Sequence, residues 1–82
     1  MTTALFVIRD ELSTCGAPES YKDDLIAKRH FLDVCLSVPM IKNSPKDFSL
    51  WRIGYFDDET MKVEACKPEL IIRAEALLNG KN

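Results

Sequence analysis

Apolar and polar positions follow two different periods along the chain. Residues 3–10, TALFVIRD, are rich in β-branched and aromatic types and are followed by the breaker-rich STCGAPES, which predicts a strand from Thr3 to Asp10 and then a loop. Ser20 stands at an N-cap position with Asp23 three residues on, so a helix is expected to begin near Tyr21. On a helical wheel of residues 22–38, one half holds Leu25, Ala27, Phe31, Leu32, Val34, Cys35, Leu36 and Val38. The other half holds Lys22, Asp23, Arg29, His30, Asp33 and Ser37; Lys28 and Asp24 fall at the edge of the apolar half, and Ile26 among the polar residues. Pro39 disfavours helical geometry at Val38 and should end this amphipathic helix there.

After the loop-like MIKNSPKD the period changes to two. Phe48, Leu50, Arg52, Gly54 and Phe56 would point one way from a strand, and Ser49, Trp51, Ile53 and Tyr55 the other. Large apolar groups on both sides predict a strand covered on both sides. DDET then reads as a turn, and Met61–Cys66 as the hairpin partner. The tail admits two descriptions. Pro68 at a first helical position with Gly80 as a stop favours a mostly helical tail, whereas ELIIR also fits an edge strand.

These elements predict one α+β domain over residues 1–82: a three-stranded antiparallel sheet packed on one long amphipathic helix, in the order β-α-β-β-(α). With 82 residues there is apolar material for a single core, and 46% hydrophobic content is enough to fold one. One helix and a short tail leave a two-faced strand under-covered, which predicts self-association as a homodimer. No stretch is apolar enough to span a membrane, and charge appears too early in MTTALFVIRDEL for a secretory signal, so a cytoplasmic protein is expected.

Eleven Lys and Arg against thirteen Asp and Glu give a formal charge of -2, so attraction to nucleic acid would have to come from a local patch. Cys15, Cys35 and Cys66 are odd in number and widely spaced, with no metal or disulfide pattern; Cys35 and Cys66 are expected as small buried hydrophobes. His30 is the sole histidine and falls on the polar helix face as a solvated residue. With three glycines and no phosphate-cradling or nucleophile motif, neither a catalytic residue, a metal nor a cofactor is indicated, and the chain is expected not to be an enzyme. Nucleic-acid binding needs cations beside aromatic platforms. The residues that could supply them are Lys28, Arg29, Lys42, Lys46 and Arg52, with Trp51 and Tyr55 as stacking surfaces on a shared strand face, although packing is the plainer role for these rings.

PKDFSLWRIGYFDDET resembles the signature of the small nonstructural protein of gokushovirus-type microviruses, phages with single-stranded DNA genomes. The residues that carry the resemblance are Pro45, Asp47, Phe48, Leu50, Ile53, Gly54, Phe56, Asp57 and Thr60. The family commonly has glycine after the turn threonine, where this chain has Met61, so a different turn geometry is expected here. The resemblance implies a nonenzymatic accessory protein that binds DNA, single-stranded above all, and acts in viral genome synthesis or packaging. The alternative is an interaction module that engages host replication machinery or the procapsid through an apolar sheet face.

Overall fold

The computed structural model of the chain describes residues 1–79. Four strands, β1 (Thr2–Asp10), β2 (Glu19–Tyr21), β3 (Phe48–Asp57) and β4 (Lys62–Arg73), form one antiparallel sheet in the order β2-β1-β3-β4. Three helices, α1 (Asp24–Ser37), α2 (Pro39–Asn43) and α3 (Ala74–Leu78), and a 3-10 turn at Pro45–Asp47 complete the fold. The α+β class and the extended 48–56 segment agree with expectation. The sheet, however, has four strands rather than three, and the helical layer is made of short pieces.

The extra strand is Glu19–Tyr21, which pairs with Ala4–Phe6 and occupies residues expected to open the helix. Asp23, not Ser20, is the N-cap: its Oδ1 accepts the Ile26 N–H at 2.9 Å. Val38 is extended and serves as N-cap to α2, so Pro39 starts a second helix as well as ending the first. Within α1 the buried stripe is Ala27, Phe31 and Cys35; Leu25 and Leu36 are exposed, so the covered arc is narrower than the apolar half of the wheel.

The tail is strand through Arg73 and helical only at Ala74–Leu78, so ELIIR lies in the sheet; Gly80 lies outside the described residues. Pro68 is not a helix start. Between the pairs Arg52–Glu69 and Gly54–Ala65, Cys66, Lys67 and Pro68 bulge out opposite Ile53 alone. On an edge strand at a bulge, a missing N–H breaks no ladder bond.

One core cluster unites Phe6, Phe31, Cys35, Ile41, Leu50 and Ala74, drawn from β1, β3 and all three helices. The helices therefore cover one side of the sheet, the inner face. No helix among the described residues joins the core from the other side, where Val7 and Ser49 are nonetheless buried and Trp51 is part-buried. A correction concerns Cys66, which is partly exposed; Cys35 is fully buried, and burial pushes its thiol up to about 11, while Cys15 is exposed.

DDET is a turn, closed by the Met61 N–H donating to the Asp57 carbonyl at 2.8 Å. Asp57 also accepts the Glu59 N–H on its Oδ1 at 3.0 Å, which holds its carboxyl below the usual carboxylate range. Met61 has φ 63, so a methionine here holds the left-handed geometry that suits glycine. A side chain held there costs about 1 kcal/mol. Met61→Gly should therefore raise stability by about 1 kcal/mol, read as a higher denaturation midpoint at unchanged slope. A lower midpoint would show that the Met61 side chain contributes packing that outweighs the strain.

Candidate functional site

Cross-strand partners share a face of the sheet, so register assigns each side chain to the inner or the outer layer. Val7, Trp51 and Leu70 form one outer row; Leu5, Gly54 and Ala65 form the next. Beyond these, Arg9, Ser49 and Arg73 make a row at one end, and Thr3, Phe56 and Val63 a row at the other. The surface thus runs from two arginines, across a tryptophan set between aliphatic neighbours, to a phenylalanine.

Ile53 breaks the alternation that the sequence suggests. Leu5 pairs with Gly54 and Phe6 with Arg52, so Ile53 is an extra residue in β3, a β-bulge. The slip moves everything beyond it to the opposite side. Trp51 faces outward with Val7, while Tyr55 pairs with Ala4 on the inner face, where it lines a shallow groove with Lys22, Asp24, Leu25 and Arg52. The two rings do not share a platform.

Gly54 is required by the same distortion. A Cβ there would lie 2.5 Å from the Glu64 carbonyl oxygen and 3.3 Å from Ala65 Cα, so β4 can approach only a residue without a side chain.

Trp51 is anchored by a short chain of hydrogen bonds. Its indole Nε1–H donates to Ser49 Oγ at 2.7 Å, and the Ser49 hydroxyl donates to Glu11 Oε2 at 3.0 Å. Glu11 Oε1 lies 3.6 Å from Arg9 Nε. Ser49 is fully buried beneath these groups, so the edge of the indole is fixed and the ring orientation with it.

Arg52 is committed elsewhere. Its Nη1 donates to both oxygens of Asp24, at 2.7 and 2.8 Å, and its Nη2 to Glu69 at 2.8 Å. The Asp24 hydrogen bond and the charges of Asp24 and Glu69 raise its pKa still further above the ordinary guanidinium value. The guanidinium bolts the first turn of α1 to β3 and β4. Lys28 and Arg29 lie on α1, Lys42 on α2 and Lys46 on the 3-10 turn, all in the helical layer. Of the seven residues singled out from the sequence, only Trp51 is on the outer face. Arg9 and Arg73, which flank it, were missed. Arg9 could have been placed from the Leu5, Val7, Arg9 alternation; Arg73 becomes visible only if ELIIR is read as strand.

Elsewhere, a cavity of about 270 Å³ between α1, β1 and β2 is walled by apolar groups such as Phe6, Ile8 and Phe31. Tyr21 and His30 stack beside it with ring centroids 4.7 Å apart. His30 is exposed, as expected for the polar helix face.

The outer face lies wholly within the part of the chain that a family comparison matches. The family described as Phage ORF5 protein matches residues 3–77, every strand but one end of β1 and all but the last residue of α3. The chain belongs to the Phage ORF5 protein family. The Phage ORF5 match covers Trp51, Gly54, Arg9 and Arg73 alike. No curated protein and no solved structure matches the chain. No helix among the described residues is long and apolar enough to cross a membrane.

Proposed function

We propose that this phage protein is a nonenzymatic accessory factor, of the kind found in gokushovirus-type microviruses, that holds single-stranded DNA across the open face of its sheet. It would act in the host cytoplasm during viral genome synthesis or packaging. The observation that carries this reading is the pair of outer rows in which Trp51, its ring fixed through Ser49, lies beside Arg9 and Arg73. An anchored indole offers a stacking surface worth about 1–3 kcal/mol per base without an ordering cost at the moment of binding. Two arginines on the same face supply phosphate contacts.

The test is a titration of labelled single- and double-stranded oligonucleotides over a range of salt. Single strands should bind more tightly, with log K falling against log salt at a slope of about -1.4 for two phosphate contacts. Arg73→Ala should flatten that slope by about 0.7, and Trp51→Leu should weaken binding by about tenfold while keeping an apolar residue in the row. Glu11→Gln, which removes the carboxylate competing for Arg9, should tighten binding. Lys28→Ala and Arg29→Ala, in the other layer, should do little. Absence of binding at low salt, or loss caused by the helical residues alone, would reject the assignment.

A second reading rests on the aliphatic character of the same face: Leu70, 38% exposed, lies beside the indole, and Val63, two rows further along β4, is 67% exposed. That surface also suits a protein partner such as host replication machinery or a procapsid component. It predicts no salt-dependent DNA binding and a protein complex that Trp51→Ala disrupts.

A further inference from the structure

α1 has a second apolar stripe that the core does not use. Leu25, Leu32 and Leu36 recur at spacings of seven and four on the flank beside the buried Ala27, Phe31 and Cys35. Leu25 is 67% exposed and Leu36 54%, with Leu32 part-buried between them, so the stripe meets solvent most fully at its two ends. Arg29 and Asp33, both exposed, border the stripe on one side, four residues apart, and among the described residues neither forms a salt bridge within the chain.

We infer that a second copy of the chain covers this stripe, with α1 packed antiparallel on the partner's α1 about a two-fold axis. Setting Leu25 against the partner's Leu36 places the axis between His30 and Phe31 and brings the two Leu32 side chains in beside it. In this register Arg29 lies within one residue's rise, about 1.5 Å along the helix, of the level of the partner's Asp33. Like flanks meet in an antiparallel pair, so Arg29 faces the partner's Asp33 and the same contact recurs on the other side of the axis. The apolar register and the charge register coincide: one alignment satisfies both. A parallel pairing brings unlike flanks together, so Arg29 and Asp33 would lie on opposite sides of the seam from their counterparts and the exchange of charges would be lost.

The contact is one helix of 14 residues, about 21 Å long, per copy. It falls at the small end of specific interfaces and gives a weak, concentration-dependent dimer. Both outer sheet faces stay uncovered in it, because α1 lies on the inner side of the sheet.

Sedimentation equilibrium of the full chain without DNA tests the assembly. The mass should rise from 9.3 kDa toward twice that value with concentration. Leu36→Glu should leave a monomer with unchanged circular dichroism. Arg29→Asp and Asp33→Arg should each weaken the dimer by about tenfold, since each turns two attractive pairs into repulsive ones. Combining them restores opposite charges across the axis and should return the affinity to near that of the parent. A mass fixed at 9.3 kDa at every concentration, a dimer unaffected by Leu36→Glu, or a double swap that fails to recover would overturn the inference. So would a dimer dissociated by Val63→Lys, which would place the contact on the outer sheet face.

Discussion

Gly54→Ala should lower the melting temperature by about 10 °C or more, from a loss of about 2 kcal/mol. The added methyl would sit 2.5 Å from the Glu64 carbonyl oxygen and 3.3 Å from Ala65 Cα, and both are backbone. No rotamer change relieves contacts of this kind. Either β4 withdraws, breaking the ladder on both sides of its bulge, or the methyl is absorbed as strain. The usual gain from stiffening the unfolded chain, about 0.4–1 kcal/mol, is smaller than that penalty. For a chain of this length, with total stability of roughly 4–12 kcal/mol, the effect is a large share. Gly16→Ala is the control, because a Cβ there meets nothing nearer than the Ile8 carbonyl at 3.7 Å. Thermal denaturation of the two variants side by side should separate them clearly. Equal midpoints would mean that β4 can move away from β3 at little cost.

Arg52→Ala should cost about 2 kcal/mol of stability and leave single-stranded DNA affinity unchanged below the melting transition. The guanidinium makes three charge-assisted hydrogen bonds to carboxylates from α1 and β4, and its side chain is only 17% exposed. A fully buried pair broken from one side loses about 3–5 kcal/mol. Asp24 and Glu69 are 42% and 63% exposed, so water recovers part of their solvation and the cost is lower. A double-mutant cycle with Asp24→Ala, followed by denaturant unfolding, should give a coupling of about 1 kcal/mol or more. If the single variant kept full stability but no longer bound DNA, Arg52 would be a phosphate contact and the Asp24 bridge would be incidental.

The sequence carried the sheet's central strands well. Phe48–Asp57 and Thr2–Asp10 are long enough for period two to be visible, and the helix period over Asp24–Ser37 is equally clear. The three-residue strand Glu19–Tyr21 is too short to show any period and exists only because β1 offers it an edge. Period two puts Tyr55 on the wrong face because a one-residue bulge at Ile53 leaves no mark in composition yet inverts every later side chain. Pro68 draws the tail toward helix, since proline marks a helix start and a bulged edge strand alike. The candidate surface was half legible for the same reasons: Trp51 stood out as a lone large aromatic, whereas its arginine neighbours come from strands distant in sequence.

The free edge of β4 carries Lys62, Glu64, Lys67 and Glu69 around the Pro68 bulge. A strand from another molecule approaching that side meets alternating charges and a gap where a donor is missing, so it cannot template a continuous ladder. Crowded solutions of the protein should accordingly resist fibre growth from this side, and replacing Pro68 and Lys67 with β-branched apolar residues would remove the barrier.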